Sequence, residues 1–280
     1  LPGLPGADPI NNADLLFLRQ RAQAVIRELV AALPASQRGM VETIPLLVDD
    51  AVGEVNAFAA CTQGGKAVMA ISDGLMEIQS QMARAKATDE IFGTAKFDQY
   101  VQFIAQSQRP NASIVKPPAG FFDPGQDLDA RKIQRQHQLF DEELAFVLGH
   151  ELAHHYLQHT GCAGPQSGAL TPADVGRALS NAVPVFNQPN ESASDWFGTQ
   201  NTLSAGARRQ GYRWTEGGAM LTLSFFLALK KISPVEAILF AFEQTHPHPA
   251  FRVPTVQQAA AHWRFTGGNP LPPPSFPPFG

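Results

Sequence analysis

GHELAHHYLQHTG, residues 149–161, holds four of the chain's eight histidines. Asp141 is a suitable N-cap just upstream, Glu142 and Glu143 suit the positive end of a helix dipole, and Gly161 supplies a stop. The spacing therefore predicts a helix over residues 142–160. On such a helix His150 and His154 stand one above the other on a single face, with Glu151 beside them. Leu144, Val147, Leu148, Leu152, Ala153, Tyr156 and Leu157 make most of the surface apolar, so the helix belongs in the core. Buried polar rings there need partners, and a metal ion suits two neutral imidazoles in this register. Taken alone an HExxH string is weak evidence, and a third ligand from another element is required. His155 and His159 fall off the shared face and read as supporting or surface groups.

That third ligand is sought in NESASDWFGT, residues 190–199. Glu191 and Asp195 lie four apart and share one helix face. One carboxylate can bind the metal while the other orients an imidazole through its free N–H. Further on, THPHPAFR (245–252) sets His246 before a proline and Arg252 six residues later. A histidine so held can donate to an oxyanion, and an arginine can support it or bind the carboxylates near the metal. His248 is a rival donor.

The 280 residues carry a net charge of −4, with 44% apolar and 16% charged side chains. This is an ordinary globular composition, and the scattered basic residues leave no footprint for nucleic acid or an anionic membrane surface. The most apolar window, residues 219–229, is too short to cross a bilayer and ends in Lys230 and Lys231. The reading is a soluble protein without a membrane span. The start LPGLPGADPI lacks a leader-like run, which suits a mature periplasmic or secreted form, although the compartment stays open. Cys61 and Cys162 are expected as two free buried thiols, with a single bridge in an exported protein as the alternative.

Along the chain, residues 13–33 predict an amphipathic helix. TIPLLVDD and KAVMAIS read as two neighbouring strands, and residues 74–87 as a second helix. Within residues 93–138 the stretch QRPNASIVKPPAGFFDPGQD mixes proline, glycine and aromatics without a period, between stretches that suit short helices, and the region reads as a long loop or insertion. Further helices are expected at about 172–181, 191–206, 216–231, 234–243 and 251–262, followed by an extended Pro-rich tail over 267–280. Early strands and later helices favour an α+β fold, mainly α, in one domain with a core over about 11–262.

The ordered motifs VNAFA (55–59), HELAH (150–154), ESASD (191–195) and THPHPAFR resemble the zinc metallopeptidases that include HtpX and the type I CAAX prenyl protease. That resemblance implies a gluzincin core with one Zn²⁺ on His150, His154 and Glu191, and with Asp195 in support. It also implies a late His-Pro motif that assists catalysis, and a cleft lined by the edge strand of a small antiparallel sheet after Asn56, Ala57 and Phe58. NESASDWFGT is also similar to thermolysin-type proteases, but the step of 37 positions from His154 to Glu191 is wider than theirs. The membrane helices of HtpX and the prenyl protease are missing, so prenylated substrates are not implied.

The expected function is thus zinc-dependent endopeptidase activity. Glu151 would act as general base, His246 as oxyanion donor and Arg252 as a supporting charge. An extended peptide substrate would pair with the strand at Lys66, Ala67, Val68, Met69 and Ala70. Two alternatives stand beside it: a latent or inactive gluzincin fold serving as a chaperone or binding module, and a thermolysin-like peptidase.

Overall fold

A computed structural model describes residues 8–62, 64–164, 188–232 and 246–270. The helices expected at 172–181 and 234–243, and the tail beyond residue 270, lie outside the described residues. The rest is α+β and mainly helical, built as helices around one three-stranded sheet. One contiguous cluster of buried apolar side chains runs from Ile10 to Val256.

Helix α1 (Leu15–Ala32) begins where the Asp14 side chain accepts the Phe17 N–H, and it buries Leu18, Ala22, Val25, Ile26 and Leu29 at helical spacing. After the short α2 (Ala35–Val41) come β1 (Leu46–Asp49), β2 (Ala57–Cys61) and β3 (Ala67–Ser72). The sheet is mixed rather than antiparallel: β3 is central, parallel to β1 on one side and antiparallel to β2 on the other. The two strands expected as neighbours are β1 and β3, and they do pair. The additional strand, β2, has the sequence AFAAC, whose alanines carry little strand signal. A turn closed by Thr62 N–H to Lys66 O and Gly65 N–H to Thr62 O folds it onto β3.

Helix α3 (Asp73–Phe92) is capped by Ser72, whose Oγ accepts the Leu75 and Asn56 N–H groups, and ends on Gly93 at φ +68°. Residues 93–138 are not simply a loop. They include α4 (Lys96–Ser107), which buries Tyr100, Val101 and Ile104, and the first two turns of the next helix.

The histidine helix, α5 (Ala130–Tyr156), begins eleven residues before the Asp141 cap that the sequence suggested. Asp129 is the true N-cap, accepting the Arg131 and Lys132 N–H groups. The polar run ARKIQRQHQLF conceals the helix because its inner face is itself polar, with Lys132 bound to Asp127 and Gln136 to Asp8. Asp141 therefore sits mid-helix, held by Arg21 and Arg209. Glu142 accepts the backbone N–H and hydroxyl of Thr215, just before the helix that starts at Gly217, instead of complementing the start of its own helix. Three further helices complete the described chain: α6 (Gln188–Arg208), α7 (Gly217–Ile232) and α8 (Pro249–Phe265).

Cys61 and Cys162 are joined in a disulfide, against the expectation of two free thiols. The bridge ties the end of β2 to the stretch beyond α5, a proximity that two isolated cysteines 101 residues apart do not announce. Closing a loop of that length should contribute about 2–5 kcal/mol. Denaturant unfolding should show a loss of that size in the Cys61→Ser/Cys162→Ser protein and in reduced wild type, and an unchanged midpoint on reduction would contradict the bridge.

Glu143 is fully buried in α5, neither carboxylate oxygen making a hydrogen bond of sound geometry. Burial, then the neighbouring Glu142, holds its pKa well above the usual carboxylate range. A raised folded-state pKa favours the fold while the group is protonated and loses that contribution as pH rises from about 4.3 through the folded value. Glu143→Gln should remove this slope, so its stability advantage over wild type grows from pH 5 to pH 8 in thermal melts. Parallel pH profiles for the two proteins would contradict it.

Candidate metal centre

Helix α5 presents His150 and His154 on successive turns, their ring centroids 4.8 Å apart, and α6 brings Glu191 against both. His150 Nε2 lies 3.1 Å from His154 Nε2, Glu191 Oε2 lies 3.2 Å from His150 Nε2, and Glu191 Oε1 lies 3.2 Å from His154 Nε2. Each imidazole Nε2 thus faces a different oxygen of one carboxylate, and the three residues hold their facing atoms 3.1–3.2 Å apart. Tetrahedral zinc with bonds of about 2.0–2.1 Å separates its ligand atoms by roughly 3.3 Å. The donor set and its spacing fit such an ion. Glu191 Oε2 is buried without a hydrogen bond, as a carboxylate oxygen reserved for a cation would be.

The supporting groups arrive from two more directions. His150 Nδ1–H donates to Asp195 Oδ1 at 2.9 Å, and Asp195 is gripped by the buried Arg252 through Nη2 at 2.7 Å and Nε at 3.0 Å. This fork fixes the tautomer that leaves the His150 Nε2 lone pair facing Glu191. Burial alone would raise the Asp195 pKa, but Arg252 and His150 outweigh it and hold the acid at about 2. His150 goes the other way: burial and Arg252 push it down, while Asp195 and Glu191 prevail and lift it to about 9. Glu191, despite its burial, is held below the carboxylate range by His150 and His154.

His246 is also here, its Nε2 3.2 Å from Glu151 Oε1 and 4.0 Å from Glu191 Oε2. Burial lowers its pKa; burial would raise that of Glu151, but the His246 hydrogen bond and the nearby His150, His246 and His154 together outweigh it and lower the acid. Donor atoms of His150, Glu191 and His246 all lie within 4.8 Å of one another. The seven residues picked out near the two histidine motifs and the acidic helix, namely His150, Glu151, His154, Glu191, Asp195, His246 and Arg252, therefore converge on one buried cluster. His248 is set apart as the N-cap of α8, accepting the Ala250 N–H.

The strand residues fare differently. Lys66 directly precedes β3, and Ala67, Val68, Met69 and Ala70 lie in it, the central strand, which is laddered to β2 from Ala67 and to β1 from Met69 onward. The Val68 carbonyl accepts His155 Nε2–H at 3.0 Å, docking the sheet next to His154. The outer strand on this side is β2, with Ala57 and Phe58 in it and Asn56 just before it.

Two glycines essential to this geometry went unnoticed in the sequence. A Cβ on Gly198 would sit 2.8 Å from His150 N and 2.9 Å from Gly149 C, and one on Gly149 would sit 3.1 Å from Gly198 O. Bare backbone on both sides lets α5 and α6 approach closely enough for a glutamate on one to reach two histidines on the other. Isolated glycines inside two helical patterns were the available signal.

A sequence model of peptidase family M48 matches residues 18–260. The chain belongs to this family. It is thereby a metallopeptidase of the HtpX and CAAX prenyl protease kind. No curated protein and no solved structure gives a significant match. Among the described residues no helix is long and apolar enough to cross a membrane.

Gly198→Ala should therefore act on the site as well as the fold. Overpacking should cost about 1–3 kcal/mol in denaturant unfolding, with a measurable loss of metal affinity in chelator competition. Wild-type values in both measurements would contradict the close-approach argument.

Proposed function

We propose that the chain is a zinc-dependent endopeptidase in which His150, His154 and Glu191 hold a single Zn²⁺. The observation that carries this is the approach of the two imidazole Nε2 atoms to each other and to the two oxygens of Glu191 at 3.1–3.2 Å, backed by the Asp195–Arg252 fork. When bound there, zinc would supply the positive charge that lowers the pKa of a coordinated water towards neutrality and polarises the scissile carbonyl. Glu151 is next to the ligands, and its depressed pKa keeps it ready as a carboxylate to take the proton of the attacking water and pass it to the leaving amine. His246 Nε2–H, now on Glu151, would turn to the oxyanion as it forms.

An extended peptide suits the outer edge of β2, where main-chain pairing demands little of the substrate's side chains. The assignment moves substrate pairing from β3 to β2 and keeps Asn56, Ala57 and Phe58 at the cleft. The Cys61–Cys162 bridge supports an oxidising compartment, periplasmic or extracellular.

Glu151→Gln should retain stoichiometric zinc and lose about 10²- to 10⁴-fold in cleavage of casein or a quenched peptide. Undiminished turnover in that variant would contradict the mechanism.

A second reading, a latent enzyme, is favoured by the position of His246 among the donors, where its imidazole could take the place of water as a further ligand. The variant His246→Ala separates the two. Loss of about 10²-fold in turnover fits an oxyanion donor, and a gain in turnover fits a gate.

A further inference from the structure

His150 has Asp195 to hold its second nitrogen, and the corresponding nitrogen of His154 points elsewhere. His154 Nδ1 lies 3.2 Å from His159 Nδ1, with the rings 5.1 Å apart and inclined at 72°. At that separation one nitrogen carries the proton and the other accepts it. Ser194 Oγ, from α6, stands 3.3 Å from the same His159 nitrogen.

The backbone is shaped to produce this contact. Helix α5 ends at Tyr156, Leu157 is its C-cap, and Gln158 turns left-handed at φ +64°, a conformation that glycine takes freely and glutamine does not. Gln158 N–H donates to His155 O and His159 N–H to His154 O, both at 2.9 Å. These are the two hydrogen bonds of a Schellman motif, in which the residue after the left-handed position folds back on the residue five before it. That pair is ordinarily an apolar contact. Here it is two imidazoles, one of them a candidate ligand.

We propose that His159 is the positioning residue of His154, its Nδ1 accepting the His154 Nδ1 proton. With the proton fixed there, the His154 Nε2 lone pair is directed at Glu191 and His150. His159 is then the Nε2–H tautomer, and the two ligand imidazoles are supported differently, an anion behind His150 and a neutral ring behind His154. A neutral acceptor holds orientation without adding charge to a centre that already carries Glu191, Asp195 and Glu151. The proposal rests on the reading of His154 as a zinc ligand.

The test uses the full chain, with zinc affinity read by competition against a chromophoric chelator. His159→Phe keeps the bulk and the folded-back contact but removes the acceptor, and should weaken zinc binding about 10- to 100-fold. His159→Asn can place an amide oxygen where Nδ1 was, and should recover most of that loss, which a merely structural role would not predict. Long-range ¹H–¹⁵N spectra of zinc-loaded wild type should show His154 protonated at Nδ1, with faster exchange of that proton in His159→Phe. Wild-type affinity in His159→Phe, beside lost binding in His154→Ala, would overturn the proposal and leave the ligand assignment intact. Equal zinc binding by wild type and His154→Ala would overturn both. Should His159→Phe fail to fold, a wild-type spectrum with His154 protonated at Nε2 is enough to refute the proposal.

Discussion

The whole site depends on how closely two helices can lie. Glutamate has a short reach, and Glu191 meets both imidazoles of α5 only because Gly149 and Gly198 leave backbone against backbone where the helices cross. Thr202, one turn further along α6, donates its hydroxyl to the Ala145 carbonyl and fixes the same crossing. A buried cluster with three imidazoles and three carboxylates would be unfavourable without compensation. Arg252 answers one carboxylate from α8, and a cation between the donors would answer the others.

This arrangement explains why the acids and bases here are tuned in opposite directions although all are buried. Asp195 is kept ionised by Arg252, and Glu191 by the imidazoles it faces. Glu143, on α5 beside Glu142, is pushed towards its neutral form by burial and by that neighbour. Burial is common to all three, and the local partner decides the sign. Family membership and this electrostatic pattern point the same way, to chemistry carried out by a metal and a carboxylate working together.

Much of the site was legible from short-range patterns. HELAH and ESASD each declare their geometry through four-residue spacing on a helix, and the His-Pro motif stands out by composition. The supporting pairs across helices were less visible, since a contact such as Asp195 with Arg252 spans 57 positions. What could not be read depended on tertiary context. The start of α5 is hidden because Lys132 and Gln136 face inward on polar partners, so the apolar period fails there. Strand β2 is hidden by its alanines, and with it the sheet order that makes β3 central. The disulfide needs the end of β2 to reach the exit of α5, a fact of topology. His159 fell off the face shared by His150 and His154 because the helix has already ended before it, and the left-handed Gln158 brings it back.

The most direct test of the central claim is the zinc K-edge X-ray absorption spectrum of protein loaded with one equivalent of zinc, for wild type and for Glu191→Ala. The account predicts two imidazole nitrogens and carboxylate or water oxygens at about 2.0–2.1 Å in wild type, with a changed first shell and weaker retention in the variant. Identical spectra and equal retention in the two proteins would contradict it.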